Sequence, residues 1–111
     1  MTLKPEFFAD PKANMRVTLL DGVTASGNGE WASTEGYDKI SIHLVKASAA
    51  TLSGAQVYVS NEPAPAANGG YAYGSAYTAS AFIEIKIPAR WMRVAIGSLS
   101  GGAVSAYLEA V

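Results

Sequence analysis

Few side chains in this sequence could carry acid–base or nucleophilic chemistry. His43 is the only histidine, and the 111-residue chain contains no cysteine. A triad can be written from Asp38, Ser41 and His43, but these residues are neighbours on one segment, whereas a triad needs side chains that converge from separate elements. His43 is therefore interpreted as a surface or interface histidine, and no catalytic residue is predicted.

The carboxylates point to no metal or cofactor either. Glu30, Glu35 and Asp38 come nearest to a cluster, yet their spacing matches no calcium-binding loop. No two carboxylates have a spacing that suggests the opposed pair of a glycosidase. The Gly-Asn-Gly at residues 27–29 is not followed by Lys-Ser/Thr or by a helix start, so it is not a phosphate-binding loop. We expect no enzymatic activity, no cofactor and no metal.

The two tryptophans admit two interpretations. If exposed, Trp31 and Trp91 could stack against a sugar. If buried, they anchor a core, which is the commoner role for one tryptophan in each of two strands, and we expect that role. Arg90 and Arg93 flank Trp91, and an arginine beside an aromatic ring commonly packs or pairs at a subunit contact.

Net charge and hydropathy limit the classes of partner that the sequence allows. The net charge is −1 and no basic stripe is present, so we expect no nucleic-acid binding. No apolar run approaches the length of a membrane span, and the N-terminus lacks the apolar segment of a secretion signal. The absence of cysteine is consistent with synthesis in a reducing cytoplasm.

Residues 82–98 organise the predicted fold. Isoleucines at 83, 85 and 87 and apolar residues at 92, 94 and 96 alternate with polar ones, which indicates two half-buried strands on either side of Pro88. Direct pairing would set Ile87 opposite Met92 and Lys86 beside Arg93. Because that like-charge pair is mildly repulsive, a second arrangement stays open, in which the proline corner carries the chain from one sheet to the other.

Other segments alternate in the same way, and no segment has a convincing helical period. Strands are predicted at residues 16–20, 37–45, 55–60 and 104–111. Asp21-Gly22 is expected to stop the first strand, and residues 99–102 to form a hairpin turn. A long loop is expected over residues 61–75, with an edge strand over 76–80. The pattern predicts an all-β chain, an antiparallel β-sandwich or jelly roll spanning residues 15–111 as a single domain.

Two regions are predicted to make contacts. Residues 1–14 are expected to form an extended N-terminal arm, because Phe7 and Phe8 are costly to leave in water. The arm could dock on its own sandwich or on a neighbouring molecule. The long loop concentrates Tyr71, Tyr73 and Tyr77, and tyrosine provides stiff, amphipathic contact area.

The chain from Val17 onward resembles small virion proteins of tailed bacteriophages. The resemblance is carried by the segments VTLLDGVTASGNGEWAS, GYDKISIHLV, VYVSNEP and IPARWMRVAIGSLSGGAVSAYLEAV. It is strongest to the capsid decoration, or cement, proteins of short-tailed phages similar to epsilon15. The resemblance implies a jelly-roll protein, made in the host cytoplasm, that lies on the outer capsid surface and clamps neighbouring major capsid subunits.

Residues 90–94 are also similar to the late strand of carbohydrate-binding jelly rolls of the discoidin type. That resemblance implies a sugar-binding module, with the loop tyrosines as sugar contacts. A common fold does not select between the two functions.

For the decoration function we expect a symmetric homodimer on a local two-fold axis of the shell. The predicted dimer face is the polar side of the strands around the proline corner, formed by Glu84, Lys86 and Arg93. His43 or Tyr58 is expected nearby. Glu84 of one chain would pair with Lys86 or Arg93 of the other. A monomer, or a trimer on a three-fold axis, is the alternative.

Overall fold

The computed structural model describes residues 14–111 of the chain, so the predicted contacts of Phe7 and Phe8 lie outside the described residues. This part of the chain folds entirely into strands and connections, without a helix. The eleven strands are β1 Met15–Val23, β2 Gly27–Asn28, β3 Ala32–Ser33, β4 Ile40–Lys46, β5 Thr51–Leu52, β6 Ala55–Ser60, β7 Tyr71–Tyr77, β8 Ala81–Ile85, β9 Trp91–Ile96, β10 Leu99–Ser100 and β11 Val104–Ala110.

The strands form two antiparallel sheets and a small ribbon. Sheet I has the order β1-β11-β4-β8, and sheet II has the order β2-β9-β6-β7, with β3 also paired to β9. The ribbon consists of β5 and β10. The pairings are nested: β6 pairs with β7, β4 with β8, β2 and β3 with β9, and β1 with β11. A long hairpin rolled into two sheets in this way is a jelly roll, so the predicted fold class is confirmed.

The core lies between the two sheets and follows from the alternation of each strand. On the sheet I side it contains Ile42 and Leu44 of β4 and Leu108 of β11, all nearly inaccessible to solvent. Val57 of β6 and Met92 of β9 face them from sheet II. Side chains at odd and even positions point to opposite faces of a strand, so the residues between these apolar ones form the outer faces.

The proline corner joins the two sheets, which confirms the second of the two predicted arrangements. β8 pairs with β4 in sheet I, whereas β9 pairs with β6 in sheet II, so Ile87 does not pair with Met92. The corner is fixed by the buried Thr34, whose hydroxyl donates to the carbonyl of Ala89 at 2.7 Å. The backbone N–H of Arg90 donates to the side chain of Asn61 at 2.9 Å.

One predicted strand boundary, at the end of the first strand, is wrong. Asp21-Gly22 does not stop the first strand, because β1 passes through irregularities in its pairing with β11 and continues to Val23. Gly22 has a φ of 60°, and its N–H donates to the hydroxyl of Ser105. Asp21-Gly22 therefore forms a bulge within the strand, where the sequence pattern predicted a turn.

Two predicted connections also differ. Residues 99–102 are not a hairpin turn, because β9 and β11 belong to different sheets and β10 pairs with β5 instead. The predicted long loop ends at residue 70, and the edge strand is β7, which begins at Tyr71 rather than at Ala76. No helix of residues 14–111 is long and apolar enough to cross a bilayer.

Candidate interaction surface

The outer face of sheet II is covered by the protein's own chain. Arg93 projects from β9 onto this face, yet only 1% of the residue is exposed. Its guanidinium carbon lies 4.2 Å from the ring centroid of Tyr58 and 5.1 Å from that of Trp31. The prediction that Arg93 is an outward, solvent-facing partner of Lys86 is therefore wrong.

The covering segment is residues 61–70, here called the cover loop, and three hydrogen bonds attach it to the sheet. Arg93 donates from Nε and Nη2 to the carbonyl of Gly69, at 3.2 and 2.6 Å. Trp31 donates from its indole nitrogen to the carbonyl of Ala66 at 2.8 Å. Gly70 has a φ of 102°, and a Cβ there would come within 2.6 Å of the Trp31 ring. The cover loop is thus fixed to the sheet.

Arg93 is a buried cation held without a carboxylate among the described residues. Its remaining hydrogen bond runs from Nη1 to the side-chain oxygen of Asn28 at 3.1 Å. Burial lowers the pKa of Arg93, and the neighbouring Tyr58 acts in the opposite direction. An arginine stays protonated in a protein, so the two aromatic faces and the carbonyl of Gly69 stabilise a charge that has left bulk water.

Neither tryptophan belongs to the core, so that expectation is wrong. Both are half-buried, and the hydrophobic cluster between the sheets contains neither of them. Trp31 contacts both the cover loop, through its hydrogen bond to Ala66, and the guanidinium of Arg93, through its ring. Trp91 lies on the outward phase of β9, with its indole nitrogen buried and without a hydrogen-bond partner among the described residues.

The three tyrosines of the predicted contact loop have different surroundings. Tyr73 faces inward at the edge of sheet II, and its hydroxyl accepts the backbone N–H of Lys86 at 2.9 Å. Tyr77 packs against the core. Tyr71 is 80% exposed and lines a shallow depression of about 140 Å³ together with Ile87 and Pro88 of the proline corner. We call Tyr71, Ile87 and Pro88 the corner patch.

The outer face of sheet I is the opposite case, because no segment of residues 14–111 lies over it. Strand register places Thr18, Tyr107, His43 and Phe82 in one row across β1, β11, β4 and β8. Phe82 is 71% exposed and Tyr107 45%, and the rings of Phe82 and His43 stack with centroids 5.3 Å apart. We call this row the aromatic row.

A second row runs beside it and carries the charges of the same face. Arg16, Glu109, Ser41 and Glu84 are paired in register across the same four strands. Arg16 and Glu109 form an exposed ion pair at 3.2 Å. We call this the charged row; it lies along a depression of about 340 Å³ that also borders the aromatic row.

The predicted dimer face is therefore not a single face. Glu84 lies on β8 and Lys86 just beyond its end, both beside sheet I, whereas Arg93 lies buried on sheet II. His43 does lie near Glu84, since it is on the neighbouring strand, but Tyr58 is on sheet II with Arg93. The physical reason is the proline corner, which places the two strands in different sheets.

Sequence reasoning missed the two most prominent residues of sheet I, Phe82 and Tyr107. A signal was present, because each is an aromatic residue on the outward phase of a strand whose inward positions are apolar. Their meeting across His43 depends on the pairing of β11, β4 and β8, which alternation alone does not reveal.

No group of three or more histidine, aspartate or glutamate side chains within residues 14–111 is placed to hold a metal ion.

Known proteins resemble this chain in fold but not in sequence. The chain matches no family model, and no curated protein matches it in sequence. Among solved structures, it is similar to the crystal structure of the SPBc2 prophage-derived protein YomS, with a TM-score of 0.69 and 12% sequence identity. The match covers 89% of this chain and 94% of that chain, so the likeness extends over nearly the whole jelly roll.

Proposed function

We propose that this chain is a structural protein of a tailed-phage virion, and more specifically a non-enzymatic capsid decoration protein. The observation that carries the proposal is the likeness, over nearly the full length of both chains, to a prophage-derived protein. The short segments that resemble small virion proteins point to the same class of protein. Major capsid subunits are the proposed partner, and the outer capsid surface is the proposed location.

The distribution of exposed apolar groups supports a binding role. Six large apolar side chains of the described residues are exposed, and five of them fall in two places. Val45, Phe82 and Tyr107 lie on the face of sheet I, and Tyr71 and Ile87 lie in the corner patch. Concentrated apolar exposure of this kind is typical of interaction sites.

The corner patch is the proposed capsid contact within the described residues, with Phe7 and Phe8 of the arm as further predicted contacts. Tyr71 is suited to this because 80% of the residue is exposed, so its ring is available to a partner. Each contact of this size is modest, and many copies on a repeating shell increase the overall strength through multivalency.

The test uses capsids of the encoding phage that were produced without the chain. Purified protein is expected to sediment with these shells, and Tyr71→Ser to bind at least about tenfold more weakly with an unchanged melting temperature. Thr78→Ala, an exposed position just after β7, is the matched control and should bind normally. Absence of binding by the unmodified protein would contradict the decoration role.

Carbohydrate binding is the second candidate, and the aromatic row favours it. Phe82, His43 and Tyr107 lie side by side on an open sheet, where aromatic rings could stack against sugar rings. Titration with host surface glycans should then show saturable binding that Phe82→Ser abolishes. A flat titration would exclude this function and leave the decoration proposal in place.

A further inference from the structure

The two outer faces of the jelly roll differ in a way that the decoration role does not explain. Sheet II is covered by the cover loop, which buries even the charged Arg93. Sheet I presents Phe82 and Tyr107 in the open, and nothing in residues 14–111 lies on them. Neighbouring outward aromatics on one bare sheet indicate a surface that another molecule covers.

We propose that the face of sheet I binds a second copy of this chain, across a two-fold axis that runs parallel to the strands between β11 and β4. This inference does not depend on the virion role. A rotation about that axis leaves each row at the same position along the strands and reverses the strand order. β1 therefore lies over the partner's β8, and β11 lies over its β4.

The charged row is complementary to itself under this rotation. Arg16 on β1 and Glu84 on β8 occupy the two ends of the same row, so each meets the opposite charge of the second copy. Glu109 meets Ser41, so no like charges are opposed within this row. Such rim pairs set orientation and register more than affinity.

The aromatic row would contribute most of the affinity. The same rotation places Tyr107 over His43 and Phe82 over Thr18, so every exposed ring of the row is covered. An axis perpendicular to the strands is less favourable, because it would set His43 on His43 and leave Glu84 without an opposite charge. Paired aligned sheets pack about 10 Å apart, which the side chains of this face can fill.

The size of the face predicts a weak dimer. Four strands about 4.8 Å apart and seven residues of about 3.4 Å each cover about 450 Å² in projection. Tight complexes bury about 800 Å² per partner, so we expect a dissociation constant in roughly the micromolar range. Dimerisation should therefore be visible as a concentration-dependent mass between about 1 and 500 µM.

Charge reversal gives a test that a merely structural role would not satisfy. Arg16→Glu alone and Glu84→Arg alone should each weaken the dimer at least about tenfold, because each sets like charges together twice across the axis. An equimolar mixture of the two variants should form a heterodimer again, since both contacts are then between opposite charges. Glu62→Arg, an exposed reversal in the cover loop on the other side of the molecule, is the control and should dimerise normally.

Sedimentation velocity of the full chain and each variant, with melting curves to confirm folding, measures these outcomes. Phe82→Ser provides a second variant, expected to weaken the dimer about 30-fold or more with little change in melting temperature. An unmodified protein that stays monomeric at 500 µM overturns the proposal. It is also overturned if the mixture of Arg16→Glu and Glu84→Arg remains monomeric. A third contrary result is a chain that dimerises only after Phe7→Ser/Phe8→Ser, because the N-terminal arm would then occupy the face of sheet I.

Discussion

Replacement of Arg93 tests whether the cover loop is held by a buried cation. Arg93→Met keeps an unbranched side chain of similar length but removes the charge and every hydrogen bond to Gly69 and Asn28. Arg93→Lys keeps the charge and at most part of the bonding, because an ammonium cannot reproduce the forked contact. The two variants separate charge from geometry.

The magnitude follows from the contacts. Stacking between Tyr58 and Trp31 contributes about 0.5–2 kcal/mol for each ring. Hydrogen bonds from a charged donor contribute about 1.5–3 kcal/mol, but Gly69 and Asn28 can bond to water once the arginine is gone. The guanidinium also regains hydration in the unfolded chain. We therefore expect a net loss of about 2–4 kcal/mol for Arg93→Met and about half of that for Arg93→Lys.

Thermal and chemical unfolding measure the loss, and it should lower the melting temperature of Arg93→Met by about 10–20 °C. Amide hydrogen exchange should quicken first in residues 61–70, and tryptophan fluorescence should shift to the red as Trp31 becomes exposed. Lys39→Met is the matched control, because it removes an exposed cation that lies outside the proposed contact rows, and such a surface charge contributes about 0–1 kcal/mol. If Arg93→Met is no less stable than this control, the cation does not hold the loop.

Three further predictions concern other contacts. Gly70→Ala should destabilise the fold by about 1–3 kcal/mol, because its φ of 102° and the Trp31 ring 2.6 Å from the new Cβ both oppose the methyl group; equal unfolding midpoints for Gly70→Ala and the unmodified chain would contradict this. Thr34→Val should cost about 1–3 kcal/mol in denaturant unfolding, because the buried carbonyl of Ala89 loses its donor, whereas Ser33→Ala at the exposed neighbouring position should change little. Phe7→Ser/Phe8→Ser should leave the melting temperature unchanged and weaken binding to shells; a lowered melting temperature with normal binding would mean that the arm packs on its own domain.

Much of the fold could be predicted because burial alternates along its strands. β4, β6 and β11 expose and bury successive residues, so their faces and approximate limits follow from the sequence. Alternation indicates which side of a strand is buried, but it does not identify the neighbouring strand. That is why the proline corner left two arrangements open, which the pairings of β8 and β9 decide.

The surroundings of Arg93 could not be predicted in the same way. An arginine on the polar phase of a strand is normally solvated, and the sequence pattern assigned Arg93 to that state. Its partners come from positions 24 and 65 residues away, Gly69 and Asn28, and they meet only after both sheets have formed. The aromatic row depends on register in the same manner, since Phe82, His43 and Tyr107 lie on three different strands.

The bare face of sheet I and the corner patch together suggest how one molecule could join capsid subunits. A dimer formed through sheet I would carry two corner patches, each with an exposed Tyr71, on the two copies. Two weak sites on one rigid particle bind a repeating surface more strongly than either site alone. Loss of the dimer should therefore reduce shell binding even where Tyr71 is unchanged, which co-sedimentation of Phe82→Ser with capsids can measure.

The most direct test of the decoration role is a cryo-electron microscopy map of virions of the encoding phage, compared with particles produced without the chain. We expect extra density on the outer capsid surface, shaped as jelly rolls whose corner patches face the major capsid subunits. Particles without the chain should lack that density and release their DNA at a lower temperature. A chain located only in the tail, or absent from purified virions, would contradict the decoration role.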